Sequence, residues 1–187
     1  MNFLIAGLGN IGAEYADTRH NIGFRVLDAF AKASNTSFVS GRYGSTTVVP
    51  FRGHKLILLK PSTYMNLSGK AVNYWLQLEK IQQENLLVVL DDLALPFGTL
   101  RMRKQGSDGG HNGLKNITEC LGNNSYSRLR IGISDAFSKG HQIDYVLGKW
   151  KSDEEKELPF IEDRAVEAVR AFVALGPDRA MNVANTK

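Results

Sequence analysis

Three short, unbroken apolar runs constrain this chain more than any other feature: Phe3-Leu4-Ile5-Ala6, Leu56-Ile57-Leu58-Leu59 and Leu86-Leu87-Val88-Val89-Leu90. A strand with one wet face alternates apolar and polar residues, whereas a strand apolar at every position is covered on both sides. Segments of helical spacing lie between such runs. Phe24, Leu27, Phe30 and Ala31 share one helix face after Asn21, Ala71, Tyr74, Trp75 and Leu78 a second, and Leu114, Ile117, Thr118 and Leu121 a third. Strands alternating with helices predict an α/β protein, a three-layer α/β/α sandwich around a twisted, largely parallel sheet. Arg130-Ile131-Gly132-Ile133 reads as a further strand. Ser45 to Phe51 reads as one arm of a hairpin, which makes the sheet mixed.

Near the C-terminus Ser152 and Glu155 form a capping-box pattern. Pro159 should interrupt that helix or begin a second one. The stripe Ile161, Ala165, Ala168, Val169 and Phe172 reads as core packing. No repeat, low-complexity tract or Pro/Gly/Ser linker divides the 187 residues, so a single domain over 1–187 is expected. No apolar run approaches the roughly 18–20 residues of a membrane span. The chain enters its first strand directly, without the basic segment of a signal peptide, and Cys120 is its only cysteine. The expected setting is reducing and cytoplasmic.

The formal net charge of +4 is unevenly placed. Between Thr99 and Arg130 six basic residues (Arg101, Arg103, Lys104, Lys115, Arg128, Arg130) stand against two acids, Asp108 and Glu119, so this segment carries the whole excess. A concentrated basic stretch is the footprint of a polyanionic partner. A solvated charged face has the same composition.

Gly7-Leu8-Gly9-Asn10-Ile11-Gly12 matches the glycine pattern of dinucleotide-binding turns. Two details count against that reading. Helical periodicity starts only near Asn21, and no acid ends a second strand about twenty residues on; Asp28 falls inside the helical stretch. The remaining reading is a tight turn that leaves Asn10 at the C-terminal edge of the sheet, where α/β proteins bind ligands.

Of four histidines, His54 and His141 sit in polar turns, His20 precedes a helix, and His111 lies in Gly109-Gly110-His111-Asn112-Gly113. Histidine and cysteine positions show no metal-ligand spacing, and no G-x-S-x-G elbow is present. Any hydrolytic chemistry would therefore use a base to activate water. Histidine titrates near neutrality, a carboxylate fixes its tautomer, and neutral donors hold the developing charge. Asp91-Asp92 at a strand end supplies carboxylates, and Asn10, Asn66 and Asn112 supply carboxamides. Each asparagine is equally suited to capping or turning the chain.

Taken in order, five segments resemble the peptidyl-tRNA hydrolase family over nearly the whole chain. They are Leu8-Gly9-Asn10 with Gly12 and Tyr15, leading to Thr18-Arg19-His20-Asn21-Ile22-Gly23-Phe24; Lys60 to Gly69; Asp91-Asp92 with Leu95-Pro96; Gly106 to Lys115; and Arg128 to Ile133. The resemblance implies that His20 is the base, Asp91 orients it, and Asn10 positions the ester. It implies that Asn66 and Asn112 bind the peptide and terminal adenosine, with His111 beside them and Tyr15 and Met65 lining the cleft. Arg103 and Arg130 match the family's phosphate-gripping positions, with Arg101, Lys104, Lys115 and Arg128 as companions. The implied partner is peptidyl-tRNA, met at its acceptor end, by a monomer needing no metal, cofactor, membrane or obligate protein partner. The chain departs from the common pattern at Ile11, Ala94, Arg103 and Asp108 and in the loop after Ile133. The rival reading is a non-catalytic RNA-binding relative of the same fold. Asn10, His20 and Asp91, and the lack of a transit segment, count against it.

Overall fold

In a computed structural model that describes residues 1–185, seven strands form one sheet; residues 186 and 187 of the expected unit lie outside it. The strands are β1 (Asn2–Gly7), β2 (Val39–Gly41), β3 (Gly44–Phe51), β4 (His54–Pro61), β5 (Leu86–Asp92), β6 (Leu100–Arg103) and β7 (Ser127–Gly132), in the order β2-β3-β4-β1-β5-β7-β6. The three apolar runs are β4, β1 and β5, adjacent and parallel at the centre, with β7 parallel beyond them. The β3–β4 hairpin and β6 add antiparallel pairs at both edges.

The helices are α1 (Ile22–Ala33), α2 (Ser68–Leu78), α3 (Asn112–Leu121), α4 (Gln142–Val146), α5 (Ser152–Leu175) and α6 (Pro177–Ala184). Helices α1, α5 and α6 cover one face, where Ile5, Leu58, Val89 and Leu129 meet Leu27, Phe30, Ala165 and Phe172. Helices α2 and α3 cover the other, where Leu4, Leu59 and Val88 meet Val72, Leu76, Leu114 and Ile117. The three-layer sandwich is as expected.

Several local expectations are corrected. The buried stripe of α2 is Ser68, Gly69, Ala71, Val72 and Leu76, while Leu78 is exposed. The small residues turn inward because α2 must meet α3 closely: a Cβ on Gly69 would strike the Asn116 carbonyl. Phe24 is only half-buried, its place in the core taken by Val26. Helix α5 runs through Pro159 without a break. Pro159 and Glu155, whose carbonyl loses its donor, both lie on the wet face, where water replaces the bond. The capping carboxylate is Glu154, which accepts from the Lys151 N–H at 2.9 Å, so the box is one residue earlier than the pattern suggested. Strand β6, Leu-Arg-Met-Arg, is masked in the sequence by the basic stretch; Leu100 and Met102 face the core.

The order of the strands places the site. The chain leaves β1 toward β4 under α1, and leaves β5 toward β7 under α3 on the opposite face, so the loops after β1 and β5 diverge and open a crevice between them. Glycines let α1 sit close to this point. A Cβ on Gly7 would strike the Gly23 carbonyl, and one on Gly23 would lie 2.5 Å from Leu8 N and 2.6 Å from Val89 O. Gly7 and Gly9 of the opening motif thus serve packing against α1 and the turn before it, while Gly12, at φ 110°, serves the turn itself. Helix α1 begins fifteen residues after β1 ends, as the argument against a dinucleotide site expected.

Candidate active site

His20 stands on a single helical turn, Arg19–Asn21, between two anchored neighbours. Arg19 is buried: its N–H donates to the Gly148 carbonyl at 3.0 Å, and its guanidinium donates to the Tyr145 carbonyl and to Glu154, each at 3.2 Å. The guanidinium also lies 4.1 Å from the Tyr145 ring centroid. On the other side, Asn21 forms a reciprocal pair with the Asn10 backbone, accepting and donating at 2.8 Å. Sequence reasoning missed both supports. A buried polar side chain looks like any loop residue until its partner, 126 positions away for Arg19 and Tyr145, is known.

The buried Asp91 carboxylate is shared by two imidazoles. His20 Nδ1–H donates to Oδ2 at 2.7 Å and His111 Nε2–H to Oδ1 at 2.8 Å. Burial pushes the Asp91 carboxyl up, but the charge and hydrogen bonds of the two imidazoles outweigh it and hold the group well below the usual carboxylate range. The histidines are not equivalent. His111 caps α3, its Nδ1 accepting from Gly113 N–H at 3.1 Å and Leu114 N–H at 3.3 Å. A nitrogen that accepts carries no proton, so the His111 proton is on Nε2 and both ring nitrogens are committed. His111 therefore has no ring nitrogen left to bond substrate, and it meets the cavity only with its ring carbons. His20 Nε2 has no partner among the described residues. His20, Asp91 and His111 bring possible ligand atoms within 4.8 Å of one another. The His111 nitrogen on that side is protonated, so the trio is a hydrogen-bonded chain rather than a ready ligand set.

The Asn10 carboxamide is oriented by its oxygen, which accepts from the Met65 N–H at 2.6 Å; its Nδ2–H2 edge has no partner among the described residues. That leaves a neutral donor free, the group suited to an oxyanion or ester oxygen. Met65 is corrected in role: its side chain is buried in the α2–α3 core, and its backbone touches the site. Asn66, next along the chain, is exposed, and Asn112 is exposed at the start of α3. A cavity of about 320 Å³ brings His20, Asp91, His111, Asn112 and Arg130 together under a wall of Phe137, Ile143 and Val146. Asn10 opens on a separate hollow with Asn21 and Phe24, and Tyr15 and Asn66 line neither. The divergent loop after Ile133 supplies Phe137 of that wall, and α4 supplies Ile143 and Val146.

The six basic residues divide. Arg128 is fully buried, with its guanidinium donating to the carbonyls of Tyr126, Gly106 and Asn124. It holds the loop before His111 to the sheet and cannot reach a phosphate, which corrects the expectation. Lys104 pairs with Asp178 at 2.9 Å. Arg101, Arg103 and Lys115 form no ion pair among the described residues, and Arg101 and Arg103 lie opposite Arg130 and Arg128 across the β6–β7 ladder. Arg130 donates to the Ser107 carbonyl at 2.7 Å, with Asp92 3.7 Å away.

Against this geometry, comparison with known proteins is direct. The model of the family described as Peptidyl-tRNA hydrolase matches residues 4–187. Among curated relatives, the peptidyl-tRNA hydrolase of Cytophaga hutchinsonii is 56% identical over 187 residues, covering 100% of both chains, and that of Bacteroides fragilis is 55% identical with the same coverage. The crystal structure of peptidyl-tRNA hydrolase from Acinetobacter baumannii matches with a TM-score of 0.92 at 36% identity, covering 98% of this chain and 94% of that one. With a family model matching nearly the whole chain, relatives more than half identical over their full length and a closely superposable solved structure, this chain belongs to the peptidyl-tRNA hydrolase family.

Proposed function

We propose that this chain hydrolyses the ester between a peptide, or an N-blocked amino acid, and tRNA, with His20 as general base. His20 Nε2 takes a proton from water as the water oxygen attacks the ester carbonyl. Asn10 Nδ2–H2 holds the oxygen that gains charge. Collapse of the tetrahedral intermediate breaks the bond to the ribose oxygen, which recovers the proton from His20, leaving free tRNA and a carboxylic acid that loses its proton to solvent. Asp91 stabilises the imidazolium that forms in between. Asn66 and Asn112 offer carboxamides to the peptide amides and terminal adenosine. An uncapped aminoacyl ester would bring a charged amine to groups suited to a neutral amide. One chain holds every group named, so the reaction needs no second subunit, and the proposed setting is a monomer in the cytoplasm.

One observation carries the reading: His20 lines the cavity with Nδ1 held by a buried carboxylate and Nε2 without a partner among the described residues. The test is turnover of an N-acetylated aminoacyl-tRNA, with and without a chelator. Release of tRNA unaffected by chelator, with the unblocked aminoacyl-tRNA cut poorly, is expected. Tight tRNA binding without release at any pH between about 6 and 9 would favour the non-catalytic relative instead.

The divided basic residues give a second expected result. Arg103→Glu should raise KM and reduce the slope of log KM against log salt by about one, as for a lost phosphate contact. Arg128→Met should leave that slope unchanged but strand buried carbonyls, destabilising the fold by about 2 kcal/mol and lowering Tm by about 4–8 °C. Equal salt slopes in wild type and Arg103→Glu would remove Arg103 from the tRNA interface.

A further inference from the structure

The second imidazole on Asp91 has a role beyond the base and its carboxylate, given the hydrolytic reading above. We propose that His111 is a positioning residue for the reaction: locked as the Nε2–H tautomer by the α3 backbone, it anchors Asp91 Oδ1 so that Oδ2 stays on His20 Nδ1, and it couples α3, with Asn112, to the base.

Three observations carry this. The Gly113 and Leu114 N–H groups both point at His111 Nδ1, so the ring is a helix cap as well as a donor to Asp91. Its side chain is 8% exposed, against 13% for His20 and 2% for Asp91, so the bond to Asp91 is shielded from water. The two rings lie 5.0 Å apart, centroid to centroid, at 46°, so one carboxylate cannot turn toward either without giving up the other. Two donors on opposite oxygens fix the plane of the carboxylate, where one would leave it free to rotate. They also divide its charge. With His111 in place, the Asp91 charge is shared between two hydrogen-bond donors rather than given to His20 alone. The remaining charged groups lining the cavity are Asp92, Asp108, Arg130 and Asp135, and none of them bonds to Asp91 or to either imidazole among the described residues.

The test compares His111→Asn with His111→Ala. Asparagine is among the best N-cap residues but is too short to keep the Asp91 bond as well, and alanine provides neither. For His111→Asn we expect kcat for N-acetylated aminoacyl-tRNA to fall by about tenfold or more, with KM within about twofold. The acid limb of the kcat profile should move to higher pH, because an undivided Asp91 charge stabilises the His20 imidazolium. His111→Ala should add a lower Tm and a higher KM through the loosened start of α3. A His111→Asn enzyme with wild-type kcat and acid limb would reduce His111 to a cap and overturn the proposal. Imidazole 15N shifts of the wild type at pH 7 give an independent reading: unprotonated Nδ1 and protonated Nε2 support it, and the opposite tautomer overturns it. Wild-type turnover in the same assay separates this outcome from failure of the hydrolase reading.

Discussion

Replacing His20 with alanine should lower kcat on N-acetylated aminoacyl-tRNA by about 10³-fold, the scale of a lost general base, and leave tRNA affinity within about twofold. The two halves of that result have separate physical origins. The turn that carries His20 is held by its neighbours, Arg19 through Gly148, Tyr145 and Glu154, and Asn21 through Asn10. Removing the imidazole therefore leaves the loop in place. The cost to stability is one bond to Asp91 Oδ2, about 1–3 kcal/mol for a buried acceptor left unmade, small against the usual 5–15 kcal/mol of a domain. On the function proposed above, affinity for tRNA rests on basic residues elsewhere, on β6 and α3, where Arg101, Arg103 and Lys115 have no acidic partner among the described residues. Single-turnover rates and filter binding separate the two terms. A variant retaining more than a tenth of wild-type kcat would place the base elsewhere, and an equal loss of binding would mean that His20 holds substrate rather than activating water.

Much of this was legible in the residues because the signals were local or strongly periodic. Unbroken apolar runs cannot alternate, so β1, β4 and β5 had to lie between two helical layers. The ends of β1 and β5 then placed Asn10 and Asp91 near one edge, and His20 was joined to them only by the resemblance to the family. What escaped the sequence was decided by partners distant in the chain. Arg128 and Arg130 differ by two positions and share a face of β7, yet only Arg128 is sealed by Tyr126 and the loop carrying Gly106. The α2 stripe was displaced toward its small residues because α3 approaches it at backbone distance, a tertiary demand that helical spacing does not encode. His111 was expected to meet substrate beside Asn112 only through the resemblance to the family. Its commitment shows only when the α3 N–H groups are seen on one nitrogen and Asp91 on the other.

That commitment makes Asp91→Asn the more searching substitution. A carboxylate accepts from two imidazoles, whereas a carboxamide of the same shape has one acceptor oxygen and one donor edge. His111 cannot adapt, since moving its proton to Nδ1 would oppose two backbone N–H groups. The oxygen of the substituted carboxamide must then face His111, and its NH2 must face His20 Nδ1. His20 meets that donor only by shifting its own proton to Nε2, which removes the lone pair from the nitrogen facing water. The expected loss in kcat is about 10³–10⁴-fold, as for other bases held in the wrong tautomer. Stability should report the same change with a definite sign. Asp91 is held below the usual carboxylate range in the folded protein, so its contribution is fully present above about pH 4, the unfolded value. It is lost only as pH falls toward the depressed folded value. Wild type should therefore be more stable than Asp91→Asn near neutrality, with the gap closing in strong acid, which urea titrations at several pH values would read. A variant with near-normal kcat, or with His20 15N shifts unchanged in tautomer, would mean that Asp91 does not set which His20 nitrogen faces the water.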